Sequence, residues 1–142
     1  MAGYVSSTMH GFGQAAGALT RISAGVDVAA HASVDGATAY LIREAMSNFD
    51  GAHRKGTPHV GGPKPNVVTG NLRRSIIATS AERLGRGYYA RDVGPTTVYA
   101  RAIELGREGH NAAYPYFAPA VFKLRRYMPL LITENWAKYV HS

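Results

Sequence analysis

Three pieces of sequence decide how this chain reads: Thr69-Gly70-Asn71-Leu72-Arg73-Arg74-Ser75-Ile76, Val98-Tyr99-Ala100-Arg101-Ala102-Ile103-Glu104-Leu105-Gly106 and Tyr114-Pro115-Tyr116-Phe117-Ala118-Pro119-Ala120. Each turns the backbone and re-aims an apolar face. In the first, Thr69 has the chemistry of a helix N-cap, and Gly70 and Asn71 permit the turn. Leu72 and Ile76 stand four apart and anchor that turn in a core, while Arg73 and Arg74 point away. The second reads as a short helix from Val98 to Leu105, with Tyr99, Ala102, Ile103 and Leu105 as its apolar members and Gly106 as its stop. In the third, Pro115 fixes the entry into a helix, Tyr116 and Phe117 bury their rings, and Pro119 suits the first helical turn.

Between the first two pieces, Ser75 to Ala81 reads as a strand, with Ile76 and Ala78 on one face and Ile77 and Thr79 on the other. Glu82-Arg83-Leu84-Gly85-Arg86-Gly87 reads as a turn, and Tyr88 to Val93 as the return strand, stopped by Gly94-Pro95. Two strands alone are marginal in water, so this hairpin must pack on a helix or join another sheet.

Upstream, residues 18–49 carry Leu19, Ile22, Val26, Ala30, Val34, Ala37, Leu41, Ala45 and Phe49 at three- and four-residue steps, one stripe of a helix. Arg21, Asp27, His31, Asp35 and Glu44 fall mostly off it. Gly25 and Gly36 each cost about 1 kcal/mol in a helix interior, so they mark close packing, a bend or a break. A stripe this long and alanine-rich calls for a partner subunit to cover it. Residues 1–17 hold Gly3, Gly11, Gly13 and Gly17, a density that predicts a flexible arm, with Tyr4, Val5, Met9 and Phe12 free to dock on a neighbour. Residues 50–68 hold three prolines and four glycines, which exclude regular structure, and Arg54, Lys55 and Lys64 make this extended loop cationic. Downstream, a helix runs to about Tyr139 on Val121, Phe122, Leu124, Met128, Leu131, Ile132, Trp136 and Val140, with a kink expected at Pro129. The expected fold is α+β: a long N-terminal helix, a central antiparallel hairpin or small sheet, a short helix and a kinked C-terminal helix, in one domain over 18–142.

Composition sets the bounds. The chain has 142 residues, 46% of them hydrophobic, which suits one globular domain rather than a disordered chain. It has no cysteine, which excludes disulfides, thiolate metal sites and cysteine nucleophiles. No apolar run is long enough to span a membrane, and the opening residues lack the basic and apolar regions of a signal peptide. The net charge is +7, and twelve of the sixteen basic residues are Arg, so the surface attracts nucleic acid, acidic lipid or an acidic protein ring.

Nothing calls for catalysis. There is no nucleophile elbow, metalloprotease pair, nucleotide loop or carboxylate cluster. His53 and His59 lack zinc spacing, and no cofactor site is read. Glu104 pairs with Arg101 or Arg73 in preference to acting as a general acid or base, because no second catalytic group is placed by spacing.

The ordered set of pieces resembles the small neck or tail-completion proteins that join head to tail in long-tailed bacteriophages. The shared pattern is Thr-Gly-x-Leu-Arg-x-Ser-Ile, a strand pair, Tyr-Ala followed by Glu-x-Gly, and a Pro-aromatic pair ahead of Pro-Ala. It covers roughly half the chain closely. The resemblance implies a virion protein of the head–tail junction, present in the host cytoplasm during assembly. It implies a homo-oligomeric ring of six or twelve copies, contacting head-completion or connector proteins and tail proteins. Genomic DNA would pass through the lumen without sequence-specific contact, and no membrane, cofactor or reaction is involved. Thr69, Gly70, Leu72, Ile76, Gly106, Pro115, Phe117 and Pro119 then define the turns. Arg54, Lys55, Lys64, Arg73, Arg74, Tyr99 and Glu104 are the candidates for subunit interfaces or the DNA channel. Two rival readings remain: a basic nucleic-acid-binding module, using Arg73-Arg74 and Arg125-Arg126 on phosphates, and a tail terminator capping the tail tube. The length of the basic loop and Pro129 depart from the pattern.

Overall fold

A computed structural model describes residues 12–140. The order is α1 (Phe12–Ser47), α2 (Asn71–Arg74), β1 (Ile76–Ala78), β2 (Glu82–Gly85), β3 (Tyr88–Ala90), β4 (Val93–Pro95), α3 (Ala100–Leu105) and α4 (Phe117–Val140). The fold is α+β, with a long helix first, a small antiparallel sheet, a short helix and a long helix last.

Helices α1 and α4 lie antiparallel against each other. Gly25 faces Tyr139 and Val140, Gly36 faces Leu131, Glu44 meets Lys123 and Asn48 meets Tyr116, so α4 descends as α1 rises. The two glycines of α1 are therefore points of close approach. A methyl group on Gly25 would overlap the Tyr139 carbonyl oxygen, and one on Gly36 would sit 3.0 Å from Leu131 Cδ1. Tyr40 stacks on Tyr127 across the same seam, with ring centroids 4.6 Å apart.

The expected stripe of α1 is only partly the buried one. Leu41 and Ala45 are buried, but Leu19 and Ile22 are exposed, and Ser33, Thr38 and Asn48 are buried in their place. Ser33 and Thr38 enter the interior because each hydroxyl donates to the carbonyl four residues back, at 2.7 Å and 2.8 Å, leaving no unmet donor. The helix also begins at Phe12, inside the segment expected to be a flexible arm. Added side chains at Gly13 and Gly17 would meet open space or a remote arginine tip, and the alanines around them favour helix. The rest of that arm, with Gly3, Tyr4, Val5, Met9 and Gly11, lies outside the described residues.

The hairpin is a ribbon in two parts rather than two uninterrupted strands. β1 pairs with β4 (Ile76 opposite Pro95, Ala78 opposite Val93), and β2 pairs with β3 (Glu82 opposite Ala90, Gly85 opposite Tyr88). Between the pairs, Thr79 N–H donates to the Asp92 carbonyl at 2.9 Å and Asp92 N–H donates to Thr79 Oγ1 at 3.1 Å, so the ribbon bends without losing its bonds. Two expectations are corrected. Glu82 to Gly85 is strand, with the turn confined to Arg86-Gly87, and Gly94-Pro95 lies in β4 instead of ending the strand. Pro95 is tolerated because it stands at a ribbon edge. The alternation of β1 is as read, with Ile76 buried and Ile77 exposed.

The core gathers at one end of the helix pair. Leu41 and Ala45 of α1, Leu72 of α2, Ile76 of β1, Ala100 of α3 and Tyr116 and Ala120 at the head of α4 form one buried cluster, flanked by Phe49, Val93, Ile103 and Phe117. In α3, Ala100 is buried and Ile103 half-buried, whereas Tyr99 and Leu105 face outward and Val98 is 99% exposed. The expected apolar face of α3 is thus rotated. In α4, Phe122, Ile132 and Trp136 leave the core for the surface, and the helix runs as one element through the exposed Pro129.

Close approach at Gly25 sets a sharp expectation. Gly17→Ala should raise stability, by up to about 1 kcal/mol. Gly25→Ala should instead lower it by about 1–3 kcal/mol, because the helices must part. Urea unfolding of the two variants distinguishes them by the sign of the change.

Candidate functional site

The three quoted pieces meet at the N-terminus of α4, and Glu104 joins them. Its Oε2 accepts from the N–H of Tyr116 at 2.8 Å and of Phe117 at 3.0 Å, and its Oε1 accepts from the N–H of Ala118 at 2.8 Å. A helix begins with four N–H groups lacking intrahelical partners. Here three reach Glu104, and the fourth position is Pro119, which has no N–H. The carboxylate also stands at the positive end of the helix dipole. The pairing expected with Arg101 or Arg73 does not form: both oxygens of Glu104 are committed to α4.

Gly106 makes this reach possible. With φ 74° the chain reverses after α3 and passes back over itself, so that a side chain at 106 would lie 2.8 Å from the Ala113 nitrogen. Tyr114 N–H then donates to the Ile103 carbonyl at 2.8 Å. Asn111 clamps the returning segment, its amide donating to the carbonyls of Ala102 and Ala112 at 2.8 Å and 2.9 Å. Exposed Pro115 leads into the helix, Phe117 and Pro119 are half-buried, and Tyr116 is only 1% exposed. The Tyr116 phenol is pushed up to about 12, first by burial and then by the nearby Glu104 carboxylate and Tyr99. Its carbonyl accepts from Asn48 Nδ2 at 2.8 Å, which locks the end of α1 to the head of α4.

The first piece supplies the opposite wall. Gly70, at φ 76°, occupies the N-cap position of α2. Thr69, expected there, sits one residue earlier, and its hydroxyl accepts from Asn71 N–H at 3.3 Å. Leu72 and Ile76 point into the core, as read from their spacing, while Arg73 and Arg74 are exposed.

Loop 50–68 is largely exposed and is tied together by its own side chains. Asn66 organises it: its amide donates to the Asp50 and Val60 carbonyls at 2.7 Å and 2.8 Å, and its Oδ1 accepts from Val60 N–H at 2.8 Å and pairs with His53 Nδ1 at 2.8 Å. His59 stacks on Tyr114 at 4.0 Å, and its Nε2 donates to the Lys64 carbonyl at 2.9 Å. Arg54, Lys55 and Lys64 stand exposed on this fixed frame.

Between the loop, α2, α3 and the 110–114 segment opens a cavity of about 530 Å³, lined by Phe49, His53, His59, Leu72, Arg73, Tyr99, Ile103 and His110 among others. No carboxylate lines it. Among the described residues no three His, Cys, Asp or Glu side chains stand together as metal ligands, and no helix is long and apolar enough to cross a membrane.

A polar seam at the other end attaches the ribbon to α1. Asp27 accepts from Gly87 N–H at 2.8 Å, from the Tyr89 hydroxyl at 2.9 Å and from Arg83, while Arg91 pairs with Asp35 at 2.7 Å. The Gly87 amide, with Tyr89 and Arg83 behind it, holds the Asp27 carboxyl below the usual carboxylate range. The roles of Asp27, Asn48, Asn66 and Asn111 were not read from sequence. Asp27 and Asn48 join segments far apart in the chain, while Asn66 and Asn111 tie loops locally, a use that asparagine in a turn hints at.

No family model matches the chain, and neither a curated protein nor a solved structure matches it.

Two outcomes test this geometry. Glu104→Ala should cost about 2–3 kcal/mol by stranding three amides of a partly buried helix start, with Glu104→Gln falling between it and wild type, as read by urea unfolding. For Asp27, the folded-state value is the lower one, so its contribution is complete above the ordinary value near 4 and fades as pH falls through the lowered value. Asp27→Asn should therefore melt earlier than wild type at pH 7, and the gap should close in strongly acidic buffer.

Proposed function

We propose that this chain is a structural subunit of the head–tail junction of a long-tailed bacteriophage, of the neck or tail-completion type. It works by assembly and performs no reaction. The observation that carries this reading is the convergence of the motif pieces. The Thr-Gly-x-Leu turn, the Glu-x-Gly helix end and the Pro-aromatic helix start resemble the neck pattern in order, and they form one packed unit around Glu104 and Tyr116. Leu72, Ile76, Ala100, Tyr116 and Ala120 of these pieces lie in the buried cluster.

Assembly has support of its own. Along α4, Phe122, Pro129, Ile132 and Trp136 recur at helical spacing on a face turned from the core, with Phe122 63% and Trp136 44% exposed. On α1, Leu19, Ile22 and Val28 are also exposed. Apolar strips of this kind mark surfaces that meet other protein. A ring of copies joined head-to-tail covers them and leaves a lumen for DNA. Connector proteins on one side and tail proteins on the other complete the junction.

A doubly substituted chain, Phe122→Glu with Trp136→Glu, changes only exposed side chains and should fold. It should be missing from assembled particles, which should accumulate as separate heads and tails in electron micrographs. Native mass spectrometry of the unaltered assembled species should give a ring of six or twelve copies. Normal tailed particles whose mass spectrum lacks this chain would overturn the proposal.

A further inference from the structure

We infer that the end of the molecule formed by loop 50–68 and α2 is a docking face for duplex nucleic acid, gripping phosphates without reading base sequence. From Gly51 to Ala81 the chain carries five cations, Arg54, Lys55, Lys64, Arg73 and Arg74, and no acid. All five are exposed, and none is in an ion pair among the described residues. Elsewhere the cations are interspersed with acids, and some are held by them: Arg83, Arg91 and Lys123 pair with Asp27, Asp35 and Glu44. The acid of α3 beside this face, Glu104, has both oxygens occupied by the α4 amides and offers the cations nothing.

One of the five cations lines a concavity, and the other four are chain neighbours of residues that line it. Arg73 lines it directly, Arg74 follows, Arg54 and Lys55 follow its lining residue His53, and Lys64 precedes its lining residue Pro65. Thr57, Thr69 and Asn71 line the same surface and add neutral hydroxyl and amide groups of the kind that contact phosphate and sugar. The loop is already folded about Asn66, so little ordering cost remains when a ligand arrives. Arginine predominates, and its planar fork matches phosphate oxygens. The exposed Phe122 and Trp136 lie on α4, and Arg21, Arg86 and Lys138 stand at the opposite end of a 36-residue helix, about 54 Å long. Within the head–tail reading this end faces the DNA channel; the binding itself stands on the charges alone.

The test is fluorescence anisotropy of a labelled random-sequence duplex with the whole chain, titrated from about 50 to 200 mM salt. R54E/K55E/K64E should bind at least about tenfold more weakly than wild type, and the slope of log affinity against log salt should become shallower by roughly 2–3. R21E/R86E/K138E, three reversals at the far end, should change affinity by no more than about twofold beyond the shared effect of net charge. Thermal melting of both variants, and the neutral set R54Q/K55Q/K64Q if charge reversal alters folding, keeps the reading on the surface. Equal weakening by the two triple variants, or no binding at low salt, would overturn the inference. So would displacement by polyglutamate as readily as by unlabelled duplex at matched charge, which would assign the face to an acidic protein. These results are independent of whether the chain forms rings.

Discussion

One carboxylate, Glu104, answers three backbone amides at the head of α4, and the packed end of the molecule follows from that arrangement. Free amides at a helix start must find partners, and at the buried Tyr116 water cannot supply one. Because the acceptor comes from α3, the start of α4 is fixed relative to α3. Tyr116 is then carried into the interior, where Phe49 meets its ring at 5.0 Å and Asn48 holds its carbonyl. That contact binds the end of α1 to the same point. Leu72 and Ile76 close the cluster from the remaining side. A single cap thus couples four segments that are distant in sequence.

The same economy of acids shapes the surface. Asp27 and Asp35 attach the ribbon to α1, Glu44 joins α1 to α4 through Lys123, and Glu104 caps α4. Four of the nine acidic residues are therefore engaged within the fold. The excess of cations is left outside, and the acid-free run from Gly51 to Ala81 concentrates it at one end. Apolar side chains are exposed along α4 and the early part of α1, and also at Val60, Val68 and Tyr99 beside those cations.

Much of this was legible from local pattern. The two long helices, the β1 alternation, the core positions of Leu72 and Ile76, and the helix start at the Pro-aromatic piece all follow from spacing and turn chemistry. Local rules failed where distant segments supplied what the pattern lacked. Ser33 and Thr38 were passed over as core because hydroxyls count as polar, yet helix carbonyls satisfy them. Phe122, Ile132 and Trp136 fit the apolar stripe of α4 by type and spacing, yet each remains about half exposed or more. Proline and glycine exclude helix and strand from loop 50–68 but do not show that one side chain, Asn66, gives it a centre.

By itself the sequence determined the kinds of elements and their order, since helical period, strand alternation and the placement of glycine and proline are properties of neighbouring residues. It also determined the basic surface, because net charge needs no fold to be counted. Tertiary structure decided which partner each polar group takes. Whether Glu104 meets an arginine or a helix end depends on the reversal at Gly106, and whether Gly25 marks a bend or a crossing depends on the Tyr139 carbonyl opposite it. Those choices are made by groups far away along the chain, and no local window contains them.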